Sequence, residues 1–278
     1  MSIDINTLTI RNSVIFTLVM SRERLAKMCL ERILGKKIRK IKYIESEKTE
    51  ELSVKIHGIR MDVYCENEEA VYNIEMQAYQ TFDLPKRSRY YQDMMDMILL
   101  EKGESYEALK KNIVIFICTF DPFGKDRHIY TFENRCKEDS SLRLEDESMK
   151  IFLNTKGKMD DIPRPLRMFL EYIETGDAED AYTKELDSAV AEVRSNEKWR
   201  KPIMTLEMLI KDSNRVAAQK AMEEGVEKGI EKGIEQEQRD TVSRMLAAGM
   251  SEETIMVATA LSPEELHQVV KEISSRAE

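Results

Sequence analysis

Residues 59–77 read IRMDVYCENEEAVYNIEMQ, two runs rich in Val, Ile and Tyr on either side of Asn67-Glu68-Glu69-Ala70. Partial apolar/polar alternation flanking a polar turn predicts a β-hairpin. With the turn centred between Glu68 and Glu69, cross-strand partners have residue numbers that total 137, and Asp62 stands directly opposite Glu75. Opposed residues share a sheet face. Period two along the second strand adds Gln77 and Tyr79 to that face and turns Ile74, Met76 and Ala78 to the other. Two carboxylates paired across a ladder repel each other unless water, a basic side chain or a cation offsets them. The pair reads either as a solvated sheet face with chance carboxylates or as a site for a divalent cation.

Outward from the hairpin, Lys36 to Glu45 (KKIRKIKYIE) has strand character, so three strands form a meander. Before it, Val14, Leu18, Leu25, Met28, Cys29 and Ile33 recur at helical spacing between Arg11 and Leu34, and Gly35 is a stop. After it, Pro85 opens a helix with Tyr90, Met94, Met97, Ile98 and Leu99, closed by Gly103. Asn112 to Phe120 is a continuous apolar run ended by the turn Asp121-Pro122-Phe123-Gly124, which predicts a strand buried on both faces. The order helix, three-strand meander, helix, strand describes an α/β core ending near Leu153. Beyond the turn region Lys156 to Pro165, helical patterns dominate. The expected division is a domain over 1–157 and an all-α appendage over 158–278.

The 278 residues are 42% hydrophobic and 34% charged, with 10 Gly and 6 Pro, which excludes collagen-like, low-complexity and wholly disordered classes. The longest apolar run, Ile113 to Phe120, is far shorter than the ~20 residues of a membrane span, and no signal-peptide pattern opens the chain. A cytoplasmic protein without membrane attachment is expected. Cys29, Cys65, Cys118 and Cys136 form no C-x-x-C pair, and His57, His128 and His267 lie far apart, so thiolate and imidazole metal sites have no support. A metal here would be held by oxygen. Asp62, Glu75 and the Met76 backbone carbonyl suit Mg²⁺ first, or Mn²⁺ or Ca²⁺, leaving room for water and a phosphate oxygen. Such an ion would polarise a phosphodiester and acidify the attacking water, which Gln77 is placed to orient.

The segment 59–77, with Leu84 to Gln92 (LPKRSRYYQ) and Val114 to Gly124 (VIFICTFDPFG), resembles the PD-(D/E)XK nuclease family transposases, the Rpn-type recombination-promoting nucleases. The resemblance continues through Arg11 to Gly35, Ile129 to Cys136 (IYTFENRC) and Lys150 to Gly157 (KIFLNTKG), about the first 160 residues, and its most specific element is D…E-x-Q. It implies a restriction-endonuclease-like fold and metal-dependent DNA endonuclease chemistry linked to recombination and mobile elements. It also implies Asp62 and Glu75 as metal ligands, with Gln77 in place of the Lys of the wider superfamily. The family often has a Lys just after the Phe matching Phe16, where Thr17 stands here. Glu31 is the candidate for an upstream acid completing the site.

The net charge of -9 argues against a nonspecific coat on nucleic acid, so contacts with DNA must be local. Lys86, Arg87 and Arg89 open the helix after the catalytic strand and could meet a DNA backbone there, with Tyr91 packing or stacking; the other reading is arginine anchoring the core. Arg32, Lys36, Lys37, Arg39, Lys40 and Lys42 form a second basic run, which serves equally as a charged strand edge. In EGVEKGIEKGIE (224–235), Gly225, Gly229 and Gly233 fall in one row, which reads either as a close helix seam, predicting a homodimer through the C-terminal region, or as a solvated connecting helix with a short apolar stripe. Ser262-Pro263-Glu264-Glu265 is a strong helix start in a tail that suits packing better than groove binding. The sequence thus points to a DNA endonuclease; the alternative is a non-catalytic, transposase-derived nucleic-acid-binding or assembly protein.

Overall fold

A computed structural model describes residues 5–43, 62–199 and 236–275, together with residues 222, 229, 230 and 233. The hairpin forms in the expected register. Strands β2 (Val63–Glu66) and β3 (Ala70–Gln77) pair antiparallel as Val63 with Ile74, Tyr64 with Asn73, Cys65 with Tyr72 and Glu66 with Val71. Asn67 closes the turn: its Oδ1 accepts the N–H groups of Glu69 at 2.9 Å and Ala70 at 2.7 Å, satisfying donors that the ladder leaves unpaired. Among the described residues strand β1 is Lys42–Tyr43, with 36–41 of the basic run outside it; it lies at the sheet edge, pairing with β2. Residues 57–61 of the first hairpin run lie outside the described residues.

The six-stranded sheet has the order β1-β2-β3-β4-β6-β5, with β4 at Lys111–Cys118, β5 at Ile129–Phe132 and β6 at Ser148–Asn154. β3, β4 and β6 are mutually parallel, and β5 runs antiparallel on the far edge. β4 is central and buried, as its continuous apolar run required. The four-strand order expected is therefore two strands short. β5 has only four residues, and β6 begins with three half-exposed residues, so neither carries the uninterrupted apolar run that marks β4.

Alternation sends the two faces of the sheet into different cores. Tyr72, Ile74 and Met76 of β3 and Ile113, Ile115 and Ile117 of β4 face a core built with α1 (Ser13–Met20) and α2 (Glu23–Leu34). Val71 of β3 and Val114, Phe116 and Cys118 of β4 face α3 (Leu84–Leu99), which contributes Leu84, Tyr91, Met95 and Ile98. Aromatic stacking stiffens this second side: Tyr91 lies 6.0 Å from Phe116, and Phe116 5.4 Å from Phe152. Cys29, Cys65 and Cys118 are buried free thiols and Cys136 is half-buried.

The expected domain boundary at 157 is not where the structure divides. Helices α4 (Arg164–Thr175) and α5 (Ala181–Ser195) place Leu166, Phe169, Leu170, Tyr182, Leu186 and Val190 in the first core, and the compact units are 1–207 and 208–278. The helical pattern after 157 is real but amphipathic, and its apolar stripe needed the sheet-bound helices as a partner. In the second unit, residues 236–247, α6 (Glu252–Thr259) and α7 (Pro263–Ser275) bury Val242, Ile255 and Leu266 together. Ser262 and Glu265 exchange the reciprocal hydrogen bonds of a capping box. Among the described residues no helix is long and apolar enough to cross a membrane.

Candidate active site

Asp62 precedes β2, and Glu75 and Gln77 lie two residues apart at the end of β3. Backbone and side chains interlock across the hairpin: the Asp62 N–H donates to Glu75 Oε1 at 3.1 Å, and the Met76 N–H donates to Asp62 Oδ2 at 3.1 Å. The two carboxylates are thus held together, as the register required. Glu75 is only 2% exposed, which removes the reading of this position as a solvated sheet face. Burial, and then the neighbouring Asp62 charge, push its carboxyl up to about 8 against the pull of the Asp62 N–H bond and Arg87.

Arg87 and Tyr91 reach this pair from one face of α3, four residues apart. Arg87 Nη1 donates to Gln77 Oε1 at 3.1 Å, Nη2 donates to the Tyr91 hydroxyl at 3.1 Å, and the guanidinium lies 3.8 Å from Glu75 Oε2. The Tyr91 hydroxyl in turn donates to Glu75 Oε2 at 3.4 Å. The guanidinium also sits 5.6 Å from the ring centroids of both Tyr91 and Phe116, favourable positions over aromatic faces. Arg has donors only, so Gln77 must turn its oxygen toward it, leaving the amide N–H₂ as the end directed elsewhere.

Of the two readings of Arg87 and Tyr91, contact with DNA or anchorage within the fold, the geometry favours the second: both join the carboxylate cluster, Tyr91 being 2% exposed. Lys86 and Arg89 stay exposed on the same helix. Glu31 is used elsewhere: its Oε1 accepts the Ile38 N–H and its Oε2 accepts from Lys37, each at 3.0 Å. Among the described residues no three His, Cys, Asp or Glu side chains gather as a metal-binding group, so Glu31 does not join Asp62 and Glu75. Arg32 is also spent on the fold, donating to the Pro165 carbonyl and to Asp180. Sequence reasoning missed the tie from Arg87 and Tyr91 to Glu75; the available signal was that residues 84, 88, 91, 95 and 98 form the buried stripe of α3.

A model of the PD-(D/E)XK nuclease family transposases matches residues 15–226, most of the chain and more than the 160 residues over which the resemblance was read. The chain belongs to the PD-(D/E)XK nuclease family transposases. No curated protein and no solved structure matches it. As a PD-(D/E)XK nuclease family transposase it falls among nucleases related to mobile elements, which generally use divalent metals. The donors of this chain fit such an ion: two carboxylates held together by backbone N–H groups, one of them buried with its charge incompletely offset, and oxygen chemistry throughout. In this PD-(D/E)XK nuclease family transposase, with Gln at position 77, a cation contacts that amide: Arg87.

Proposed function

We propose that this protein is a divalent-metal-dependent DNA endonuclease whose site is Asp62, Glu75 and Gln77, supported by Arg87 and Tyr91. The observation that carries the reading is the interlocked Asp62–Glu75 pair, with Glu75 buried and its carboxyl pushed up by that burial and by the Asp62 charge. Such a pair is costly in a fold and is expected where a cation is to be bound. Bound by Asp62 and Glu75 with the Met76 carbonyl, Mg²⁺ would supply the positive charge that polarises a phosphodiester and acidifies a water.

The remaining work falls to the chain's own groups. Asp62 and Glu75 present oxygen toward the scissile phosphate, with their positions set by the hairpin backbone rather than by flexible loops. Gln77 offers its amide N–H₂ to the attacking water or to a phosphate oxygen, and Arg87 prevents the amide from flipping. Arg87 also places beside Gln77 the positive charge that a Lys would otherwise carry, and favours the ionised form of Glu75. Tyr91 steadies Glu75 Oε2 through its hydroxyl. Lys86 and Arg89, exposed on α3, are the groups left to hold the DNA backbone near the site.

The test is nicking of supercoiled plasmid by purified protein in Mg²⁺ or Mn²⁺, beside Asp62→Ala and Gln77→Ala. Wild type should nick only with metal, and both variants should lose most of the activity. Nicking by wild type no greater than by Asp62→Ala would leave a nucleic-acid-binding or assembly protein in place of the enzyme.

A further inference from the structure

The tip of the β2–β3 hairpin borders a cleft away from the acid site. It has a volume of about 290 Å³ and is lined by Lys36, Lys37, Arg39, Lys40, Lys42 and Lys110, with Glu66, Glu68 and Glu69 on the hairpin side. Six cations against three carboxylates leave a local excess of positive charge in a chain whose net charge is -9. Ile38 and Ile41, 4% and 0% exposed, fasten the segment to the core, and Lys36, Lys37, Arg39, Lys40 and Lys42 stand exposed around them.

Internal pairing uses only part of this charge. Lys37 pairs with Glu31 at 3.0 Å, Lys110 with Glu66 at 2.7 Å, and Arg39 approaches Glu68 at 3.8 Å with both side chains 88% exposed. Among the described residues, Lys36, Lys40 and Lys42 meet no carboxylate within ion-pair distance. Protection of the sheet edge accounts for Lys42, which lies in the edge strand β1. It does not account for Lys36 to Lys40, which precede that strand, or for Lys110 across the cleft.

A pocket for one phosphate needs one or two cations at a point, whereas here five are strung over as much as ~20 Å of chain. A row of that length suits successive phosphates of a strand. We propose that this cleft binds the sugar-phosphate backbone of a nucleic acid, as a contact separate from the acid site. Ala70, at the hairpin tip, is five residues from Glu75, ~17 Å along β3. Tyr72 of the cleft belongs to the α1–α2 side of the sheet, and Glu75 meets α3 on the other. The contact therefore engages nucleic acid beyond the reach of Asp62 and Glu75. It rests on the nuclease reading only in taking nucleic acid as the polyanion.

The test is fluorescence anisotropy of a short labelled duplex with the full chain in EDTA across a salt series, comparing wild type with the triple variant Lys36→Gln, Lys40→Gln, Lys42→Gln. The triple variant should melt like wild type, bind roughly tenfold or more weakly at low salt, and show a log K against log salt slope smaller in magnitude by about 2 to 3. Should it melt early, the single variants Lys36→Gln and Lys40→Gln should each reduce the slope by about 1. Unchanged affinity and slope would overturn the proposal. So would displacement of the duplex by inorganic phosphate at equal charge concentration, or lysine-dependent binding to phosphatidylserine vesicles while duplex binding persists unchanged. Plasmid nicking separates the two readings: no nicking with a lysine-dependent slope defeats the nuclease alone, and nicking with an unchanged slope defeats the cleft alone.

Discussion

Glu75 keeps its proton to higher pH in the folded chain than its ordinary value of 4.5 allows, because it is buried and faces the Asp62 charge. Between that value and about 8 the folded state binds more protons than the unfolded state, so its contribution to stability falls as pH rises through this window. Glu75→Gln should therefore stabilise the metal-free protein, on the order of 2 kcal/mol at pH 8 and little at pH 5. Urea denaturation at both pH values checks this; an advantage that shrinks toward pH 8 would contradict the burial of an incompletely offset charge. Mg²⁺ should raise the melting temperature of wild type and not of Glu75→Gln. In the proposed site Arg87 is a positioning residue, its charge favouring ionised Glu75 and its donors holding the Gln77 amide. Arg87→Met should lower kcat about 10- to 100-fold with little change in KM for DNA, and shift the acid limb of the pH–rate profile to higher pH. A rise in KM with the profile unmoved would make Arg87 a DNA-gripping side chain instead.

One side chain ties helix α2 to both α4 and α5. Arg32 donates to the Pro165 carbonyl, pairs with Asp180 at 2.5 Å and lies 4.6 Å from the Tyr182 ring centroid. Asp180 is also the N-cap of α5, in a capping box with Thr183. Despite partial burial, the Thr183 N–H and Arg32 hold its carboxyl below the ordinary value, so this stabilisation is present above that value and lost as pH falls through the depressed one. Arg32→Ala should cost on the order of 2 kcal/mol in urea denaturation, through a lost cation over an aromatic ring and acceptors left without a donor. Duplex affinity should stay close to wild type. Weaker DNA binding at unchanged stability would return Arg32 to the basic run from which the structure separates it.

The first compact unit extends to Glu207 because α4 and α5 complete the core beneath the sheet. A chain cut after 157 should be insoluble or molten, and one cut after 207 should unfold cooperatively; near-UV circular dichroism and denaturant titration distinguish them. Dimerisation through the glycine row remains our proposal for the C-terminal region. Gly225 lies outside the described residues; among the described residues none comes within 4 Å of a Cβ added at Gly229 or Gly233. Far-UV circular dichroism of the Leu variant, beside wild type, separates an effect on association from one on folding. Light scattering should show a dimer for wild type and a monomer for Gly229→Leu, Gly233→Leu; a monomeric wild type ends the seam proposal.

Local rules determined the hairpin by themselves. Asn67 at the turn and the alternation around it set a register in which a slip of one residue would bury the wrong face, so Asp62 opposite Glu75 followed from arithmetic. The buried strand β4 and the caps at Gly35 and Ser262 were equally legible, because a continuous apolar run and a capping pattern act within a few residues. Only the tertiary structure decided the rest. Whether Arg87 pointed at solvent or at Glu75, and whether Arg32 belonged with the basic run or with Asp180, depended on which helix face met the sheet. The membership of α4 and α5 in the first core was hidden for the same reason: an amphipathic stripe declares that it must be buried, and the partner that buries it is chosen by chain topology across more than a hundred residues.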